Sequence, residues 1–487
     1  MSGTVGDNLF RASGVVASSS TAFDDDQIQS NIAMLGFKVA TNGSLVRYNL
    51  VDQVIDEYND TSGVDASAST NEVRSDAPAP FYYYGESGSA PTGGDSTDTS
   101  ISGYTTHVFT SSRALTVTGT GDATMLVVAG GSSGGCNWGG GGGAGGLIYK
   151  ATHELTTNTY DAVIGAGGAA QTTTDTVGNS GVNTTWTING GAVEFTAVGG
   201  GGGAGGSDAA NIGGSGGGGS YGTTGPGAGA AANQPSQSGD SGTYGFGYAG
   251  GPGSGPGTLN TGGGGGAGSV GEGPNTSRSG SGGTGKDYSA IFGTSVGDSG
   301  WFASGGGGGW TEEGGSGAGP ASSGGGSAGA ASQGANAGAA TANTGGGSGG
   351  GASSEGDSGT GGSGVLLVRV ADGAFVNKAD LTLQSIDGTA GSAPSYGELL
   401  TLIENAAGTA TLNTDIKGYI SRDSGSNFTQ GTLVDEGSWG TNKKILAFHD
   451  LDISGQPSGV AMCYKITTHN QSASKITRIY ATSIGWR

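Results

Sequence analysis

The stretch closest to a known chemical motif is GSGGTGKD at 280–287, which nearly matches the GxxxxGK[ST] loop that cradles a nucleotide phosphate. Asp287 stands where that loop needs a magnesium-binding hydroxyl, and its carboxylate repels phosphate. In a chain this rich in glycine the spacing arises by chance, so nucleotide binding is not expected. Carboxylates lie near one another at Glu312–Glu313 and at Asp450 with Asp452, and a glycosidase needs only two brought together in space. The four histidines, His107, His153, His449 and His469, are expected to be structural, and neither HExxH nor GxSxG occurs. Cys136 and Cys463 show neither metal spacing nor a disulfide framework. The expectation is therefore no catalytic residue, no metal and no cofactor. Stacking is the remaining chemistry. Trp138, Trp301, Trp310, Tyr244 and Tyr248 flank glycine runs, where bare backbone lets a ligand approach closely, and they are the candidate contacts to sugar rings. Packing between backbone segments is the structural role open to each.

These residues are carried by an unusual chain. Of 487 residues, 111 are glycine, and 18 basic residues stand against 39 acidic ones for a formal charge of −21. Phosphate contacts need clustered Lys and Arg, which are absent, so nucleic acid is not an expected partner. No apolar stretch approaches the ~18 residues that a membrane-spanning helix needs. The opening MSGTVGDNLF lacks a basic segment and an apolar run, which predicts synthesis in a cytoplasm without a Sec-type signal.

Glycine concentrates between Gly199 and Gly364, where 67 of 166 residues are glycine. GGGGGAGG occurs at 139 and 199, with related runs at 262 and 305; the uneven spacing argues against a fixed-period solenoid. Collagen would need Gly at every third position with abundant Pro, and only 11 prolines occur. A flexible Gly-Ser spacer has no use for Tyr221, Phe246, Phe292 or Phe302. The ordered alternative is the extended three-residue helix of polyproline II geometry, rising ~3.1 Å per residue with N–H and C=O groups pointing outward. Without Cβ atoms such rods can exchange backbone hydrogen bonds with one another.

β-Branched and aromatic runs surround the tract. THVFTSS, ALTVTGTG and ATMLVVAGG precede it and GVLLVRVAD closes it, which predicts one glycine-rich β domain over 101–373. Alternating segments from 374 to 487 predict an antiparallel β-sandwich. Upstream, 1–20 is a small, polar segment around the Asn-Leu-Phe-Arg cluster, and 61–100 reads as a linker containing the aromatic cluster FYYY. Residues 21–60 read as two short helices. Ile28, Ile32, Leu35 and Val39 form one stripe, and Leu50 and Val54, with Tyr58, form the other. Stripes this short suit a seam between chains, with an intramolecular hairpin as the alternative.

Several stretches together resemble bacteriophage tail-fibre-like virion proteins. They are MSGTVGDNLFRASGVVAS with SNIAMLGFKVATNGSLVRYNLVDQVIDEYNDTSGVDAS, MLVVAGG with GGGGGAGGLIY and GGSGVLLVRV, and the C-terminal NTDIKGYISRDSGSNFTQGTLVDEG with SGQPSGVAMCYKITTHNQSASKITRIYATSIGW. The resemblance implies an elongated homotrimer on the virion tail that touches host surface polysaccharide or an outer-membrane receptor. It also implies packed polyglycine II helices, and attachment to other virion proteins through the N-terminal region, where Asn8, Leu9, Phe10 and Arg11 are the candidates. A capsid-attached head fibre or decoration protein and a tailspike-like polysaccharide depolymerase are the alternatives. In known adhesins of this kind the glycine body is distal, whereas here a sandwich follows it.

Overall fold

The computed structural model describes residues 52–75, 80–221, 227–239, 242–255, 260–311 and 317–487. The expected attachment residues Asn8, Leu9, Phe10 and Arg11 and the seam positions Ile28, Ile32, Leu35, Val39 and Leu50 lie outside these ranges. The described chain is mainly β, in antiparallel sheets, and its helix is a single turn, Ser289–Phe292. It divides into two compact units: Gly88–Val376, and Asn377–Arg487 together with the described residues up to Ser87.

The Gly88–Val376 unit is built on two sheets. In one, Val365–Ala371 pairs antiparallel with both Tyr104–Phe109 and Gly121–Val128, and Gly121–Val128 pairs in turn with Leu147–Leu155. In the other, Asn158–Val163 lies between Arg113–Val117 and Thr184–Ile188. Side chains alternate across a strand, and here both faces of the central strands are covered. Met125, Val127, Leu366 and Val368 pack with Leu115, Tyr160, Trp186 and Phe195 of the other sheet. Leu126, Val128, Val365 and Leu367 pack on the opposite side with Ala144, Phe292 and Phe302. That double burial explains why MLVV and VLLVRV are continuous apolar runs rather than alternating ones.

The second unit is an antiparallel sandwich. Tyr396–Ala407 pairs with Lys443–Asp452 and Ile476–Trp486, while Ala461–Thr468 pairs with Ile416–Ser421 and Thr382–Gln384. Leu399, Ile403, Phe448 and Ile479 from the first sheet meet Ile416, Ile420, Tyr464 and Ile466 from the second in one buried core.

Two expectations need correction here. The second predicted helix is a strand: Asp52–Asp56 pairs antiparallel with Ile476–Trp486, so Val54 lies opposite Ile484 in a β ladder rather than on a helical stripe. An isolated ten-residue helix is marginal in water, and the edge of the sheet offers the segment a ladder of backbone partners along Ile476–Trp486. Tyr58 then turns into the core at positive φ, with its hydroxyl 2.7 Å from Thr482 Oγ1. The 61–100 segment is likewise no plain linker, since it contributes Glu72–Arg74 and Tyr83–Gly88 to one sheet and Ser96–Asp98 to another. FYYY is divided by strand alternation. Tyr83 packs edge-on to Tyr58 in the core, and Tyr82 meets Tyr480 at a tilt on the opposite face.

Candidate functional site

Strands of the glycine-rich unit run directly into glycine segments. Val128 leads into Ala129–Gly135, and Gly139–Gly146 leads into the strand at Leu147. The segment 139–146 shows how these pack. Gly139, Gly142 and Gly145 donate to the carbonyls of Gly351, Ser348 and Gly345; Gly140, Gly143 and Gly146 donate to Ala204, Gly201 and Val198; Gly141 and Ala144 donate to Gly262 and Gly265. A step of three on one segment thus meets a step of three on its neighbour, the signature of a helix with three residues per turn. The same rod accepts bonds from Gly306 and Gly309, from Ser215 and Gly218, and from Ser132 and Gly135. It is surrounded by six neighbours, five antiparallel and one, 262–265, parallel. The rod at 305–309 repeats the rule, with Gly305 and Gly308 donating to Gly283 and Gly280, and Gly306 and Gly309 to Gly142 and Gly139.

Steric crowding, not backbone handedness, demands glycine in these rods. None of Gly139 to Gly143 has positive φ. A Cβ at Gly139 would lie 2.0 Å from the Gly135 carbonyl oxygen, one at Gly140 2.1 Å from that of Gly218, and one at Gly141 2.0 Å from that of Gly306. Alanine enters the rod only at Ala144, where the methyl joins the apolar cluster of Leu126, Val128 and Leu147 beside the sheet.

The candidate contacts fall at different levels of this lattice. Trp138 follows Asn137 in a turn with both residues at positive φ, and its ring meets Tyr221 edge-on at a centroid distance of 5.7 Å. The Trp138 indole nitrogen is buried without a hydrogen-bond partner. Trp310 ends the 305–309 rod, donating to the Ala330 carbonyl and accepting from the Ser353 amide. Because Gly309 bonds to Gly139, Trp138 and Trp310 share the end of the lattice away from the sheets, together with Tyr221. The other three are elsewhere. Trp301 forms a two-residue ladder with Asp287 near the sheet end, Tyr244 lies under the Lys150 ammonium beside the core between the two sheets of the glycine-rich unit, and Tyr248 is 40% exposed on an outer rod. Tyr221 was not among the expected contacts; its position directly after GGGGS was the available signal.

The chemically suggestive residues are tied into structure. Around Lys286 the amides of Gly280, Gly283 and Gly285 donate to Thr261, Gly264 and Ser323, so they do not form an open cradle, and the Lys286 ammonium sits 3.8 Å above the Phe246 ring. Asp450 binds Arg487 at 2.7 Å while Asp452 accepts from the Ser454 amide at 2.9 Å. Glu312 and Glu313 lie outside the described residues. Burial, with Asp357 nearby, pushes the Cys136 thiol up to about 11, and burial pushes Cys463 up to about 12, so neither is a ready thiolate. His107 is held below its ordinary value by burial, and its Nδ1 lies 3.0 Å from the Gly93 carbonyl. His449 is raised by the Glu398 carboxylate 3.4 Å away, with Glu436 on its other nitrogen. His153 contacts Glu194 at 3.3 Å and His469 Nε2 lies 3.0 Å from the Thr467 hydroxyl.

Comparison with known proteins places residues 105–371 in a family model described as glycine-rich domain, a match over more than half of the chain. No curated protein matches it.

Proposed function

This chain belongs to the glycine-rich domain family, and from that premise we propose that it is a non-enzymatic phage tail fibre or adhesin, a trimeric virion appendage that contacts the host surface. The observation that carries the reading is the lattice itself. The 139–146 rod, bonded to six neighbours, belongs to a stiff body held by backbone bonds rather than by a side-chain core, and its end away from the sheet is a turn at Asn137 and Trp138. Trp138, in ring contact with Tyr221, lies at the end remote from the sheets, as does Trp310, and aromatic rings there can meet a sugar or a receptor loop. The resemblance of the N-terminal and C-terminal stretches to phage fibre sequences supplies the virion setting.

Antibody labelling of intact particles by electron microscopy tests the assignment. Gold at the tail is the expected result. Gold along the capsid wall would make the protein a head decoration instead, and release of reducing ends from host polysaccharide by purified protein would make it a depolymerase.

A further inference from the structure

A lattice held by backbone bonds has the weakness of a β-sheet edge: its outermost rods offer N–H and C=O groups to any further rod. The outer rods of this unit share a pattern. In 165–169, Gly165 and Gly168 face inward, where a Cβ would lie 1.9 Å from the Val182 carbonyl oxygen and 2.0 Å from that of Asn179, while Ala166 and Ala169 are exposed. In 178–182, Gly178 and Gly181 face inward at 2.2 and 2.0 Å from the Ser133 and Gly130 carbonyl oxygens, while Asn179 and Val182 are exposed. In 336–342, Ala337 and Ala340 donate to Asp357 and Thr360, while Asn336, Ala339 and Ala342 are exposed. Ala328 and Ala331, three residues apart on the preceding rod before the turn at 332–334, are also exposed. Pro252 is exposed between Gly251 and Gly253, both crowded against carbonyls, and as proline it has no N–H to leave unpaired. Gly338, with no crowding atom nearer than Ser327 Cβ at 3.9 Å, is an exposed glycine within this pattern.

We propose that these outward side chains, repeated at the three-residue period of the rods, terminate the lattice and keep the glycine rods of a second copy of this chain from docking on it. The lattice's own spacing carries the argument. Interior rods approach so closely that a Cβ would meet a carbonyl oxygen at about 2 Å, so a Cβ on the outer face holds an incoming rod beyond hydrogen-bonding reach. The inward positions specify the rod's place, and the outward positions specify that nothing follows. The device is independent of what the protein attaches to, and it matters wherever many copies are held close together.

The test replaces Ala328, Ala331, Ala339 and Ala342 by glycine in the full chain, with the same four positions changed to serine as a control that keeps each Cβ. Sedimentation velocity is followed over a hundredfold range of concentration, with circular dichroism to verify the fold. The glycine variant should sediment faster than wild type as concentration rises, whereas the serine variant should track wild type. A folded glycine variant that sediments like wild type throughout overturns the proposal, as does equal association by the serine variant. Should the fourfold glycine variant lose its fold, the single Ala339→Gly variant is read against Ala339→Ser by the same two outcomes.

Discussion

Gly140 and Ile466 are both inaccessible to solvent, yet they hold their surroundings in opposite ways. Ile466 sits in the C-terminal sandwich among Ile416, Ile420, Tyr464 and Leu383, and what it supplies is a side chain that fills space between two sheets. Gly140 sits in the lattice with its amide bonded to Ala204, and what it supplies is the absence of a side chain. In the first region apolar surface removed from water carries the stability, at about 25 cal/mol per Å². In the second the gain is spread over backbone hydrogen bonds, each worth only about 1 kcal/mol net, and it must offset the large entropy that glycine loses on ordering. A lattice therefore has to be extensive and complete, because no single rod is stable by itself. The sandwich tolerates a changed surface but not a missing core group; the lattice tolerates a missing methyl but not an added one.

The sharpest contrast comes from Gly140→Ala. Its methyl would meet the Gly218 carbonyl 2.1 Å away, where the obstacle is backbone with no side chain to swing aside. We expect a loss of about 3 kcal/mol or more, at the upper end of overpacking costs, and the joint replacement of Gly139 to Gly143 should abolish the folded domain by thermal melting. Ile466→Ala makes the reverse error and should cost 2–5 kcal/mol in denaturant titrations, scaling with the cavity that remains. Asp415 gives a pH-dependent case in the same sandwich. Lys475 at 2.7 Å, with Asn470 and the Thr411 amide, holds its carboxyl well below the usual range. A depressed folded value contributes stability above the unfolded value near 4 and loses it as pH falls through the folded value. Asp415→Asn should therefore cost about 2 kcal/mol at pH 7, and wild type and variant should converge in strong acid. Gly455→Ala should be the mildest, within about 0.5 kcal/mol of wild type, because a Cβ there meets nothing within 4 Å and φ is not positive. A melting curve for Gly455→Ala as damaging as that of Gly140→Ala would erase the distinction between the two regions.

Much of this arrangement was legible in the residues. ATMLVVAGG and GVLLVRVAD announced strands on either side of the glycine tract, and they are neighbours in one sheet. The large aromatics scattered through the tract argued against a spacer, and Phe292 and Phe302 do pack where the lattice meets the sheet. Other features were hidden. NLVDQVIDEY carries apolar residues at helical spacing, but the decision lay with the distant strand Ile476–Trp486, which only the folded chain brings alongside. The 61–100 segment looked like a linker because its strands are short and polar; Glu72–Arg74 and Ser96–Asp98 pair with strands close by in sequence, and the pairing of Tyr83 with Ile479 ties the segment to a distant strand. The candidate contacts were legible as residue types but not as a group. Trp138 and Trp310 are joined by rod register, through Gly139 and Gly309, and no local pattern encodes which rods are neighbours.

Amide hydrogen exchange on the full chain measures the lattice most directly. Gly139 to Gly143 and Gly305 to Gly309 have the most flexible composition in the protein, yet each amide donates to a defined carbonyl on another rod. If the lattice is an ordered body, these amides should exchange slowly, with protection comparable to that of Leu126 and Val127 in the adjoining sheet. Exchange of these glycines at unfolded-chain rates, with the sheet still protected, would contradict it.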